Sequence, residues 1–474
     1  MAQSHSPPSE TFDIAVVGGG VVGCAMARRF TLEGARVVLL EKAVDVLAGA
    51  SKGNSAILHT GFDAPPGSLE QRCIAEGHAE FLEIRDALKL PLLQSGAIVA
   101  AWTPEEQDKL ESLMEQAHAN GIEDVQPLTA AAILAEEPNL ASRVKGGFRV
   151  PREALIDPWS TPHAYLLQAL TNGAAVWRGC EVTDGMFDGA EWVLETTQGS
   201  LRASSVINCA GLYGDILDQR LLGETFYSIR PRKGQFLVFD KAAARLVSSI
   251  VLPVPTEKTK GIVVCRTIYG NVLVGPTAED QESRTDSSTD RDTLVQLHRK
   301  GAEILPALAE VPVTAAYAGL RPASEQKDYR IHERPERNYI SVGGIRSTGL
   351  SSALGVARHV FERHRGFGHR FAALERPLQA PACGGLSEYD PRNWQEAANG
   401  GIVCHCELVT RREIEQVLSG PLPPHSLAGL KRRTRVTMGR CQGFYCMGTL
   451  ARMTEGAFDV PLASVVDEPG NPDE

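Results

Sequence analysis

No apolar run in this chain is long enough to cross a membrane, and no surplus of basic residues is available to hold a nucleic acid. There are 48 Lys and Arg against 58 Asp and Glu, a formal net charge of −10, which excludes non-specific binding to a phosphate backbone. The opening segment, Met1 to Glu10, has neither a basic start nor an apolar core, so it is not read as a secretory signal. It is expected to be a short disordered lead. A disulfide framework is also missing. Six of the ten cysteines, Cys24, Cys73, Cys180, Cys209, Cys265 and Cys383, stand singly, several within apolar stretches. They read as buried free thiols of a protein kept in a reducing cytoplasm. What remains is ordinary soluble composition, 43% hydrophobic and 22% charged, over 474 residues, enough for two or three domains.

The other four cysteines are not scattered. Cys404-His405-Cys406 and Cys441-Gln-Gly-Phe-Tyr-Cys446 supply four thiolates in two tight pairs. A [2Fe–2S] cluster takes two thiolates per iron. Four cysteines also suit tetrahedral zinc, although zinc pairs are usually spaced by two to four residues and Cys-x-Cys fits that less well. Thr410 followed by Glu413 marks a capping-box helix start between the pairs. Lys431, Arg432, Arg433, Arg435 and Arg440 place five positive charges ahead of the second pair. They are read as offsetting an anionic cluster or docking an acidic partner, against the plainer alternative of a solvated basic face.

At the other end, Phe12 to Val17 is a short apolar strand that runs into Gly18-Gly-Gly20-Val-Val-Gly23, then a helix to about Glu33, then a strand Val37 to Leu40 ending in Glu41. Gly18 allows the tight turn, Gly20 lets backbone approach a pyrophosphate at the helix N-terminus, and Gly23 lets helix and strand pack closely. Glu41 is placed to accept from ribose hydroxyls. The motif alone does not separate FAD from NAD. Two later glycine-rich strand ends do favour a flavin: Cys209-Ala210-Gly211 after the strand Leu201 to Asn208, and Gly343-Gly344 to Gly349-Leu350. A flavin needs several separated loops, and a second helix N-terminus can face its ring.

These segments together resemble the glycine/D-amino-acid oxidase superfamily of FAD enzymes, in its glycerol-3-phosphate dehydrogenase and L-2-hydroxyglutarate dehydrogenase branch. The matching pieces are the glycine loop with Glu41 and Lys42, Ala50-Ser51-Lys-Gly-Asn54-Ser55 leading to His59, Asn208-Cys-Ala210-Gly211, Pro231 to Gln235, Gly319-Leu-Arg321-Pro322, and Gly343-Gly344 to Gly349-Leu350. The resemblance spans about residues 10–370. The C-terminal part resembles the bacterioferritin-associated-ferredoxin-like [2Fe–2S] module carried by the large subunit of anaerobic glycerol-3-phosphate dehydrogenase. It implies an α/β Rossmann-like FAD domain interleaved with an antiparallel-sheet substrate domain over residues 11–370, a linker or wrapping segment over 371–399, and a small, mainly helical cluster domain over 400–465. Roof strands are expected at Gly234 to Phe239, Gly261 to Cys265 and Val272 to Gly275.

The resemblance also assigns roles. Gly18, Gly20, Gly23, Glu41, Lys42, Ser51, Asn54, Ser55, Ala210, Gly211, Gly344, Gly349 and Leu350 would hold FAD, and Cys404, Cys406, Cys441 and Cys446 the cluster. Arg321 would grip an anionic substrate group with its two-pronged guanidinium. Arg346, where relatives often carry a non-basic residue, would be a second anchor or would stabilise reduced flavin. His59 would take the hydroxyl proton. Lys233 is read as structural. Phe236 stands where respiratory glycerol-3-phosphate dehydrogenases place a histidine, which opens the reading to 2-hydroxy acids.

The expected function is an FAD-dependent dehydrogenase of a small anionic hydroxy compound, passing electrons through the cluster to a redox partner subunit or a quinone-linked complex. It would be cytoplasmic, peripheral to the inner membrane only through partners. Two rivals stay open: an amino- or imino-acid dehydrogenase of opine or hydroxyproline type, and a non-catalytic flavin and iron–sulfur electron-transfer subunit.

Overall fold

The computed structural model describes residues 11–255, 261–460 and 462. The disordered lead expected at residues 1–10 lies outside the described residues, as do residues 461 and 463–465 of the expected cluster domain. The chain divides into two compact units, residues 1–392 and 393–474.

Among the described residues the first unit is built on two large sheets and a small three-stranded one. Thr11–Val17 is buried over its last four residues, as a strand covered by helices on both faces must be. It pairs in parallel with Val37–Glu41 on one side and Gly199–Asn208 on the other. Ala175–Arg178 and Tyr339–Gly343 extend the parallel set outwards, and antiparallel strands complete an eight-stranded sheet. Because the central strands all point one way, their carboxyl ends open onto one edge, where ligands of such sheets bind. The helix Val21–Leu32 leaves that edge with Gly20 as its N-cap.

The second sheet has nine strands. Its longest pairing joins Ile229–Phe239 to Val313–Ser324, antiparallel, with Arg232 opposite Arg321, Gly234 opposite Gly319 and Phe236 opposite Tyr317. The first of these strands begins five residues before Gly234. Pro231 and the three cations Arg230, Arg232 and Lys233 hide the alternation there, although Ile229, Pro231 and Lys233 face inwards while Arg230 does not. The expected strands near 261 and 272 are found at Val263–Arg266 and Val272–Gly275.

A pair of helices fixes the geometry between these sheets. Leu69–Leu88 and Gly349–Arg365 approach backbone to backbone. A Cβ on Gly77 would stand 2.2 Å from the Ser351 carbonyl oxygen, and one on Gly355 would stand 2.2 Å from that of Cys73. The second helix therefore rests in a slot that only glycine permits, and its N-terminus is aimed by that slot.

Residues 371–392 run along the same unit. Leu374 donates its N–H to the Leu32 carbonyl, Asn172 bonds both ways with the Leu378 backbone, and Leu386 is buried. Among the described residues no helix is long and apolar enough to cross a membrane.

The second unit is a hairpin, Ile402–Cys404 with Val409–Thr410, and three short helices, Arg411–Ser419, Leu427–Thr434 and Met447–Met453. Thr410 and Glu413 form the capping box that the sequence indicates. The core of Val403, Val409, Ile414, Leu430, Val436 and Leu450 includes Cys404 and Cys446.

Replacing Gly355 with Ala should force the two helices apart at a cost of about 1–3 kcal/mol. Thermal unfolding should shift down, and flavin occupancy should fall with it because the Gly349 end of the helix is displaced. A variant with unchanged Tm would show that the slot has slack.

Candidate active site and iron–sulfur module

One cavity of about 1370 Å³ lies where the carboxyl ends of the parallel strands meet the inner face of the second sheet. It exceeds the roughly 300–1,000 Å³ of a drug-sized pocket, and so has room for a long cofactor and a small substrate together. Gly18, Gly20, Glu41, Lys42, Ser51, Asn54 and Ser55 line it, as do Ala210, Gly211, Gly344, Gly349 and Leu350. Gly23 lies beneath: a Cβ there would meet the Gly18 carbonyl oxygen at 1.8 Å, which is why helix and turn can pack so closely. His59, Arg321 and Arg346 line the same cavity.

The cofactor half is preorganised. Glu41 accepts from the N–H of Gly19 at 2.6 Å and from that of Ala43 at 2.8 Å, which pins the carboxylate at the mouth of the glycine loop. Ser51 accepts from the Val21 N–H at 3.0 Å, so a distant loop is fastened to the start of the first helix. No acidic residue occupies that helix's first turn, leaving its positive end to an anion. Lys42 lies over the Tyr213 ring, 3.3 Å from its centroid. These groups fit a dinucleotide with a pyrophosphate. Near the second helix N-terminus, the Arg346 Nε is buried without a hydrogen-bond partner, a donor left over for a ligand ring.

The substrate half is defined by charge. Arg321 stands on Val313–Ser324, facing the cavity, with one hydrogen bond to the Thr277 carbonyl oxygen at 3.2 Å. Among the described residues it has no carboxylate partner. Desolvation, and then the like charge of Arg232 directly opposite, lower its pKa to about 10, still a cation at neutral pH. The neighbouring cations are compensated. Arg232 is held by Asp280 at 2.6 Å, Arg284 by Asp215 at 2.6 Å, Lys233 by Asp286 at 2.8 Å and Arg346 by Glu70 at 3.4 Å. Arg321 therefore differs from Arg346: it offers a charge that no described residue neutralises. Phe236 stacks on Tyr317, with centroids 4.8 Å apart, and the Tyr317 hydroxyl donates to the Asn54 carbonyl at 2.7 Å. That contact ties the roof to the loop of Ser51 and Ser55.

His59 leads to a residue that sequence reasoning missed. Its Nδ1 lies 2.8 Å from Oε2 of Glu153, which is fully buried and whose other oxygen accepts from the N–H and hydroxyl of Thr60. Glu153 belongs to no motif. Its signal was an acid set immediately before the apolar strand Ala154–Ile156, a position where a lone charge is costly unless bonded. Glu70 and Arg232 were likewise missed.

In the second unit the four cysteines come together as two thiol pairs, each joining the two motifs: Cys406 with Cys441 and Cys404 with Cys446. Cys441 is held below the ordinary thiol range by backbone N–H groups of Tyr445, then Gly443 and Phe444. Burial, then Cys404, pushes Cys446 up to about 11. Two pairs suit a two-iron cluster better than one tetrahedral zinc. The non-glycine residues Leu408, Thr437 and Gln442 all take left-handed backbone here, strain that a functional loop retains. The basic run is solvated only in part, with Arg440 exposed. Arg432 and Arg435 are buried, and Arg435 pairs with buried Glu407 at 2.8 Å. Phe444 and Tyr445, between two cluster cysteines, are 82% and 74% exposed.

Comparison with known proteins agrees with this geometry. The family model described as FAD dependent oxidoreductase matches residues 13–363, and that of the BFD-like [2Fe-2S] binding domain matches residues 402–454. The chain is 32% identical to the glycerol 3-phosphate dehydrogenase of Caloramator mitchellensis over 92% of each chain. It is 23% identical to one of the subunits of the anaerobic glycerol-3-phosphate dehydrogenase of Escherichia coli, over 92% of this chain and 87% of that one. The FAD-bound L-alpha-glycerophosphate oxidase of Mycoplasma pneumoniae superposes with a TM-score of 0.73 at 26% identity, covering 80% of this chain and all of that one. With cavity, thiol pairs and sequence in agreement, the chain belongs to the FAD dependent oxidoreductase family and carries a BFD-like [2Fe–2S] binding domain behind its flavin unit.

Proposed function

We propose that this protein is a dehydrogenase that oxidises the secondary alcohol of glycerol 3-phosphate and delivers the electrons through its [2Fe–2S] cluster to a separate redox partner. The observation that carries the reading is Arg321, a cation facing the cavity with no carboxylate partner among the described residues. An enclosed charge of this kind is costly until a partner arrives, and an anionic substrate group is that partner. The relationship to a glycerol 3-phosphate dehydrogenase over nearly the whole of both chains supports the phosphate ester over a 2-hydroxy acid.

The residues divide the work. The glycine loop, Ser51 and the first helix N-terminus would hold the pyrophosphate of FAD, Glu41 the ribose, and the 344–350 turn the ring. Bound FAD supplies the two-electron acceptor for the hydrogen on the alcohol carbon. Arg321 fixes the anionic end of the substrate from the roof. His59 takes the hydroxyl proton. Cys404, Cys406, Cys441 and Cys446 hold the cluster, and exposed Phe444 and Tyr445 beside it supply apolar surface for a partner to cover.

Anaerobic mixing of the purified protein with candidate substrates tests the first half. Glycerol 3-phosphate should bleach the flavin, and L-2-hydroxyglutarate, glycine and proline should not. Bleaching by an amino acid alone would replace the reading.

Substituting Arg321 separates binding from folding. Arg321→Ala should lower kcat/KM by about 30- to 1000-fold, mostly through KM, with flavin content unchanged. Arg321→Lys keeps the charge without the fork and should recover part. Arg321→Met should bind no phosphate ester yet melt no lower than wild type, because it removes an uncompensated charge. An alanine variant within about threefold of wild type would take Arg321 out of the site.

Cys441→Ser tests the relay. The variant should keep its flavin and be reduced by substrate at the wild-type rate, while turnover with an external one-electron acceptor falls. Loss of flavin together with iron would mean that the two units do not act as separate modules.

A further inference from the structure

We propose that Glu153 is a positioning residue that fixes the tautomer of His59, so that Nε2 carries the free lone pair turned to the substrate. This rests on the reading of His59 as the base. Glu153 is fully buried, and all of its described contacts use it as an acceptor. One oxygen receives the N–H of Thr60 at 2.6 Å and its hydroxyl at 2.8 Å; the other faces His59 Nδ1 at 2.8 Å. A carboxylate has no proton to give, so the hydrogen of this third contact sits on Nδ1. That leaves Nε2 bare, and no described residue bonds it. The backbone of His59 is fixed as well, its N–H donating to Ser351 Oγ at 2.8 Å, and Ser351 belongs to the helix whose first residues line the same cavity.

The other titratable groups around the pair do not compete for it. His78, on Leu69–Leu88, is turned to the Arg152 carbonyl oxygen, and burial lowers its pKa, so it stays neutral. Arg152 is engaged by Asp124 at the surface. Glu70 is taken by Thr348 and Arg346.

The step balances on these residues. The C–H hydrogen would leave with its electron pair to the two-electron acceptor that bound FAD supplies, while the O–H proton passes to His59 Nε2 and the carbon–oxygen bond becomes a carbonyl. Glu153 keeps the Nδ1 proton bonded and stabilises the imidazolium, which later returns its proton to water through the cavity. An imidazole free to rotate or to change tautomer would present N–H to the substrate in part of the population, and that form cannot act as base.

Glu153→Gln is the test, because glutamine keeps the volume and the Thr60 acceptor but can present an N–H to Nδ1. His59 must then move its proton to Nε2. With the holoenzyme and glycerol 3-phosphate, kcat should fall about 10- to 100-fold, within the range a positioned base supplies, while KM stays near wild type because Arg321 holds the substrate. Glu153→Asp should recover part of the loss. Nitrogen NMR of histidine-labelled protein reads the tautomer directly: Nδ1–H in wild type, Nε2–H in Glu153→Gln. A Nε2–H tautomer in wild type, or a kcat for Glu153→Gln within about threefold of wild type, would overturn the proposal. His59→Gln separates the failures. If it abolishes turnover while Glu153→Gln does not, only the role of Glu153 falls; if it leaves turnover intact, the base itself is misassigned.

Discussion

A charge taken out of water must be answered, and most of the buried charges among the described residues are answered within the fold. Arg28 and Arg29 meet Glu80, Arg284 meets Asp215, Arg435 meets Glu407, and Glu153 meets His59 and Thr60. Each of these arrangements settles the desolvation of a buried or half-buried ion inside the fold. Arg321 has no carboxylate partner among the described residues, and this gives the cavity a polarity. The glycine loop, Glu41 and Ser51 gather at the carboxyl ends of the parallel strands, and Arg321 hangs from the opposite sheet. The distance between the two is the space a small molecule must span, so the roof strands, the Tyr317–Asn54 tie and the glycine slot between the long helices all serve to hold one charge in place.

Much of this was legible in the sequence because it is local. The glycine loop, the strand ending in Glu41 and the capping box of Thr410 and Glu413 are each set by neighbours a few residues apart, and backbone sterics leave them few alternatives. The cysteines were legible because pairing in sequence is part of their geometry. Arg321 was found through the residues that flank it, although neither its lack of a partner nor its register with Arg232 could be read until Ile229–Phe239 was laid against Val313–Ser324.

The residues that stayed hidden share a cause. Glu153 acts on a histidine 94 positions away, and Glu70 on an arginine 276 positions away. No periodicity or local spacing encodes such a meeting, because it depends on how two sheets and two helices are stacked. The start of the roof strand was obscured for a different reason. Its early positions carry cations whose partners, Asp280 and Asp286, come from a later segment, and without those partners the stretch looks like a polar turn.

The two thiol pairs have a consequence for how this protein comes into being. Each pair joins the hairpin segment to the segment after the second helix, and Cys404 and Cys446 count among the few core side chains of a unit that has only short helices to offer. Until iron and sulfide are delivered, four thiols share one small interior, two of them buried, and the strained turns at Leu408, Thr437 and Gln442 have little to hold them. A cluster bound to these thiols would tie the hairpin to the later segment, so its binding free energy would count as folding free energy of this unit.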